Sequence, residues 1–131
     1  MGFLDRFFDS DSTTQDASWN SVSNESDIDN IFLASNDRIQ IVLKHSMHCG
    51  SSLFAKRNLE TIDSSSLDDM DVYLIDVIRQ RMISRYFAEK VGVRHESPQL
   101  FVLRDENIVW HGSHHRVIAE NLLAAVNKAR G

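Results

Sequence analysis

The 131-residue chain sets 14 Lys and Arg against 19 Asp and Glu, a net charge of −5, and is 42% hydrophobic, the make-up of one globular domain with one core. An acidic balance offers no general attraction to phosphate backbones or anionic lipid, so nucleic acid is not an expected partner. No apolar run approaches the roughly 20 residues of a membrane span, and no leader pattern opens the sequence, so the expected location is cytoplasmic. Cys49 is the only cysteine, which rules out an internal disulfide and with it the small secreted class held together by disulfides.

Residues 1–36 hold seven acids against one base, Arg6, while the remainder is nearly balanced. From Asp9 to Ser26 the composition is Ser, Asp, Asn, Thr and Gln, too poor in apolar groups to offset the entropy of ordering a backbone. Residues 1–18 are therefore read as an acidic, flexible extension and 19–131 as the folded domain. Met1 to Phe8 read as one or two apolar turns at a docked or frayed terminus, and Trp19 as the residue that packs this arm onto the domain. The N-myristoylation pattern fails because position 6 is arginine.

A short helix is expected from Asp27 to Ala34, capped by Ser26, with Ile28, Ile31 and Phe32 on one side. Arg38 to Leu43 reads as a strand and Lys44 to His48 as the loop after it. A helix follows from Cys49 or Gly50 to Ile62, with Ala55, Leu59 and Ile62 on its buried face. Val72 to Val77, nearly all apolar, fits a central parallel strand. The next helix carries Met82, Ile83, Tyr86, Phe87 and Val91, and Gly92 is placed to end it in the left-handed conformation. Gln99 to Leu103 and Asn107 to Trp110 flank a tight turn. The last helix shows Ile118, Leu122, Ala125, Val126 and Ala129 at helical spacing, with Ser113 as its expected cap. Two crossovers long enough for parallel pairing, then a hairpin, give a mixed four-stranded sheet flanked by helices.

Cys49 falls where the first strand passes into the first long helix. Unpaired backbone N–H groups and the helix dipole favour a thiolate there, and Lys44 and His48 add positive charge nearby. The alternative, an inert buried cysteine, fits an apolar stripe better than this polar loop. Cys49-Gly-Ser-Ser52 has serine where a dithiol enzyme has its second cysteine, so any disulfide must form with another molecule. Pro98, the only proline, begins the third strand of an element order that resembles the thioredoxin-like one; the resemblance implies that a cis Ser97-Pro98 turn faces Cys49, which brings His95, Glu96 and Ser97 to that site and frees backbone groups to pair with a peptide-like substrate. His111, His114 and His115, with Cys49 or His95, are a nominal zinc set, but adjacent helical positions do not share a face, and no metal is expected.

From about Trp19 to Ala129 the chain resembles the monothiol bacilliredoxins, thioredoxin-like general-stress proteins of the bacillithiol system. Three words carry the resemblance: Leu43-Lys-His-Ser46, Val93-Arg-His-Glu-Ser-Pro-Gln99 and Val109-Trp-His-Gly-Ser-His114. It implies a thioredoxin-like α/β fold and a Cys49 that removes bacillithiol from mixed protein disulfides, or carries it transiently, with no tightly bound cofactor and bacillithiol as co-substrate. The implied partners are bacillithiolated cytosolic proteins and a thiol reductase or free bacillithiol, and the expected state is a monomer. The family's Thr-Cys-Pro-Ile-Ser stretch is His48-Cys49-Gly50-Ser51-Ser52 here, which loses the proline of the first helical turn. Beside Cys49 as nucleophile, the candidate substrate-binding residues are Lys44, His48, Ser52, Arg94, His95, Ser97 and Pro98. Lys44, Arg94 and His95 are placed to attract the malyl carboxylates of bacillithiol, and each reads equally well as a solvated surface residue. Two other functions fit the same residues: a non-catalytic adaptor that binds protein through the Pro98 loop, and a redox sensor whose Cys49 is oxidised and capped.

Overall fold

Strand β2 (Ile39–His45) is buried along its whole length, as a strand covered by helices on both faces must be. The computed structural model describes residues 19–131, so the readings for residues 1–18 lie outside the described residues. Around β2 the order is β1 (Asn20–Ser21), α1 (Glu25–Ala34), α2 (Gly50–Leu59), β3 (Met70–Asp76), α3 (Arg81–Val91), β4 (Gln99–Arg104), β5 (Asn107–Ser113) and α4 (Ala119–Ala129), with 3-10 turns at Ser64–Leu67 and His114–Arg116. The sheet runs β1-β3-β2-β4-β5. β3 pairs in parallel with β1 and β2, while β4 pairs antiparallel with β2 and β5.

Side-chain alternation along β2 divides the core. Ile39, Ile41 and Leu43 pack with Ala55 and Leu59 of α2 and with Leu122 and Val126 of α4. Val42 faces the other way, with Ile75, Phe101, Phe87 of α3, and Ile28 and Ile31 of α1. Phe87 meets Phe101 edge-on at 4.9 Å between centroids, the arrangement that ring quadrupoles favour.

The sheet has five strands, not four. The added strand, β1, is two residues long and too short to show a period; it is held by Trp19 Nε1 donating to Glu60 Oε2 at 2.8 Å and by Gln80 Nε2 donating to the Val22 carbonyl. β2 runs through Lys44 and His45, which the sequence reading places in a loop because a lysine interrupts the apolar run. α1 starts at Glu25, and its cap is Asn24, whose Oδ1 accepts from the Asp27 N–H at 2.9 Å, so Ser26 lies inside the first turn. α2 stops at Leu59, where Ile62 N–H turns back to the Leu59 carbonyl at 3.1 Å. Nor does Ser113 cap α4: a 3-10 turn intervenes, and the Ala119 N–H is taken by Asn58 Oδ1 at 2.7 Å. Gly92 does end α3 with φ +71°, as its freedom from a Cβ allows.

Candidate active site

β2, the central strand, delivers the chain to its carboxyl end, and a three-residue turn re-aims it into α2. In that turn the His48 N–H donates to Ser46 Oγ and the Cys49 N–H to the Ser46 carbonyl, both at 3.2 Å. Cys49 is the extended N-cap residue of α2, with φ −113° and ψ 123°, and is half-buried. Its Sγ lies 3.1 Å from Ser51 Oγ. The thiol is brought down from the ordinary value of 9.0 to about 7, first by the Ser51 hydroxyl, then by the backbone N–H groups of Ser52 and Ser51, with partial burial opposing them and the Ser52 hydroxyl adding a little. Orphan donors at a helix start thus do for sulfur what they do for any anion. Among the described residues no positively charged side chain contributes, so the lowering is dipolar; neither Lys44 nor His48 is among its causes.

The second wall is the segment before β4, where the Ser97-Pro98 peptide is cis. Ser97 Oγ lies 3.4 Å from Ser52 Oγ, which joins this segment to the first turn of α2. The Gln99 amide clamps it from within: Oε1 accepts from the Glu96 N–H at 3.2 Å, and Nε2 donates to the Arg94 carbonyl at 2.9 Å. The His114 N–H donates to the Pro98 carbonyl at 2.9 Å, and His114 holds a φ of +55° to do so. Glu96 accepts from Ser113 Oγ and lies 3.6 Å from His114 Nε2; the Ser113 bond foremost holds its carboxyl below the usual range.

Pro98 and Ser52 are buried, Ser97 is half-buried, and His48, Arg94 and His95 are exposed. Lys44 departs furthest from expectation. It is neither a loop residue nor a solvated one but 0% exposed within β2, so its ammonium cannot touch a ligand at the surface. His111 lies over the Phe101 ring at 6.1 Å, while His114 faces Glu96, and among the described residues no three His, Cys, Asp or Glu side chains are arranged to hold a metal ion. Three participants escaped sequence reasoning: the Ser51 hydroxyl on Sγ, the Ser113–Glu96 bond and the Gln99 clamp. Only Ser51 left a signal, a hydroxyl two positions beyond a cysteine at a predicted helix start.

The sheet order, the cis-proline turn and a lone cysteine at the start of α2 define a thioredoxin-fold protein with a monothiol site. The family model described as monothiol bacilliredoxin BrxC matches residues 20–122, and the chain belongs to that family. Among solved structures it is similar to a thioredoxin-fold protein provisionally assigned as an oxidoreductase, at 28% identity over 87% of this chain and 98% of that one, with a TM-score of 0.73. It shares the fold of Malassezia sympodialis thioredoxin (19% identity, 87% and 92% of the two chains, TM-score 0.68) and of spinach chloroplast thioredoxin f (18%, 87% and 95%, TM-score 0.68). Family and fold give the chain a thiol-oxidoreductase role. Among the described residues no helix is long and apolar enough to cross a membrane.

Proposed function

We propose that the protein is a monothiol thiol-disulfide oxidoreductase that takes bacillithiol off mixed protein disulfides. The observation that carries this reading is a thiol brought to about 7 in a chain with no second cysteine. Near pH 7 about half of such a thiol is thiolate, against a few per cent of an ordinary one. The Cys49 thiolate attacks the bacillithiol sulfur; the old S–S bond breaks, and the protein thiolate leaves with its electron pair and takes a proton from water. The substrate cysteine is reduced and Cys49 is left oxidised as the bacillithiol mixed disulfide.

Ser52 stands where a resolving thiol would be, and an alcohol cannot displace sulfur from this bond. The adduct therefore waits for a second bacillithiol, whose thiolate attacks the bound bacillithiol sulfur, frees Cys49 and leaves bacillithiol disulfide for a reductase. His48, Arg94, His95, Ser97 and the Pro98 turn are the proposed rim for the thiol and for the backbone of the substrate protein. The exposed apolar side chains of Met47, Leu53 and Phe54, close to Cys49 in sequence, offer that protein an unpolar contact.

The test is intact mass and substrate thiol recovery after incubation with a bacillithiolated protein. Wild type is expected to gain one bacillithiol as the substrate loses it, and Cys49→Ser to do neither. Substrate that stays modified in the presence of wild type refutes the proposal. Equal release by the Cys49→Ser variant makes the cysteine incidental. Capping of Cys49 by peroxide and thiol without substrate repair identifies a sensor instead.

A further inference from the structure

Lys44 is one of the largest side chains with no exposed surface among the described residues, and its Nζ has no hydrogen-bond partner there. A buried cation is normally paired with an acid, because an unpaired one loses its hydration without replacement. Here the residues opposite Lys44 in the flanking strands are Ile75 on β3 and Gln99 on β4, neither of them charged. Burial alone draws the amine down from 10.5 to about 8, which leaves about nine-tenths of it charged at pH 7.

Its position relative to the thiol follows from the pairing. Lys44 is in register with Gln99, and the Gln99 side chain grips the backbone on either side of His95, at Arg94 and at Glu96. His95 lies between those two points, and its imidazole is held below its ordinary value, first by partial burial and then by the Lys44 charge, with Glu96 opposing. Two residues further on, Ser97 touches Ser52 of the helix that starts at Cys49. Glu96, the acid of this segment, already has Ser113 and His114 as partners. The rim beside the thiol thus carries Arg94 and His95 at the surface with an unpaired cation beneath them.

We propose that Lys44 is a specificity-determining residue, whose buried, unpaired charge beneath the Arg94–Glu96 segment makes Cys49 prefer mixed disulfides of carboxylate-bearing small thiols over those of neutral ones. The assignment rests on the thiol-exchange reading above and adds to it the residue that selects among small thiols. Lys44 acts through the field at the rim, without contact, as a charge in low-dielectric surroundings acts further than one in water. Screening separates its share from that of the surface: the attraction of Arg94 fades as salt shortens the Debye length, while a charge shielded by protein is screened much less.

The experiment uses one neutral reporter peptide made as two mixed disulfides, one with mercaptosuccinate, a dicarboxylate, and one with 2-mercaptoethanol. The rate constants of peptide release by the full chain are measured at pH 7 in low salt and in 0.5 M salt, and the result is read as their ratio, in which changes in the intrinsic reactivity of Cys49 cancel. Wild type is expected to favour mercaptosuccinate and to keep about a five-fold preference in high salt, which falls to near unity in Lys44→Met and in Lys44→Gln. The second variant retains polarity without charge, and thermal unfolding checks that both are folded. A high-salt ratio that is the same in wild type and variants overturns the assignment of Lys44 while leaving thiol exchange in place. Failure of wild type to release peptide from either disulfide overturns the exchange reading and this inference with it.

Discussion

The Ser51 hydroxyl is the largest single cause of the lowered Cys49 thiol, and it is attached to a side chain that is exposed and makes no core contact, so Ser51→Ala tests it without disturbing the fold. Loss of this donor is expected to raise the thiol from about 7 to about 8. At pH 7 the thiolate then falls from about half to about a tenth of the protein. The weaker acid is, however, the better nucleophile: with a Brønsted coefficient of about 0.45, a ten-fold weaker acid gives a thiolate about three times more reactive. The two effects oppose each other. The net rate with a small disulfide falls only about two-fold at pH 7, and above about pH 7.6 the variant becomes the faster enzyme, by about 2.5-fold at pH 9 where both thiols are ionised. The assay is a pair of titrations: thiolate absorbance at 240 nm, and the second-order rate constant for exchange over pH 5.5–9.5. Crossing rate profiles are the expected result, with Ser51→Thr restoring the wild-type curve. Parallel profiles, or a thiol in Ser51→Ala that still titrates near 7, refute the argument and leave the backbone N–H groups as the whole cause.

Lys44→Met is expected to stabilise the fold by about 3 kcal/mol at pH 7 in urea unfolding, because the drop of the amine from 10.5 to about 8 measures what burial costs its charged form. The sign follows from linkage: between pH 8 and 10.5 the unfolded chain holds a proton that the native state has lost, so wild-type stability rises with pH over that window relative to the variant, and the gap closes above it. A variant less stable than wild type at pH 7 contradicts the absence of a partner for Nζ. Gly112→Ala should destabilise by about 1–3 kcal/mol, seen as a lower midpoint in thermal unfolding, since a Cβ there meets the Trp110 ring at 2.8 Å and Arg116 Cβ at 3.4 Å. Trp110→Leu in the same chain should recover part of that loss. Gly92→Ala, at φ +71° with open space around it, should cost about 1 kcal/mol from backbone conformation alone.

What could be read from the sequence, and what could not, divides along physical lines. Helix and strand periods report burial over several residues, so α2, α3, α4 and the strands β2 and β3 were legible, although β3 is half-buried over most of its length, and Gly92 marked its helix end. The N-cap position of Cys49 was legible too, because chain order fixes it once strand and helix are assigned, and so was the cis Ser97-Pro98 bond before β4. Boundaries that depend on single distant partners were not. Asn58 reaches across from α2 to take the Ala119 N–H, and Glu96 takes the Ser113 hydroxyl, so Ser113 gave a false cap signal for α4. β1 exists through Trp19, Glu60, Gln80 and Val22, residues that no local window brings together.

Lys44 shows the same limit from the side of chemistry. Hydropathy ranks lysine among the residues most often exposed, and a reading by type alone ends β2 at Leu43 and places the ammonium in water beside Cys49. Register decides otherwise: the strand continues to pair through Ile75 and Gln99, and alternation turns the side chain at 44 onto the face that holds Val42. A residue that breaks the local rule without an evident gain in stability is where function is to be sought. At Cys49 the chain lowers a thiol with dipoles, the Ser51 hydroxyl first among them, and so needs no cation in contact with sulfur. On the proposal above, the charge of Arg94 and of the buried Lys44 acts on the rest of the incoming thiol, which predicts that charge substitutions there change which disulfide is chosen more than how acidic Cys49 is. A Lys44→Met protein whose Cys49 titrates as in wild type but whose preference among thiols is lost would separate the two roles; a shifted thiol with unchanged preference would show that they had been assigned the wrong way round.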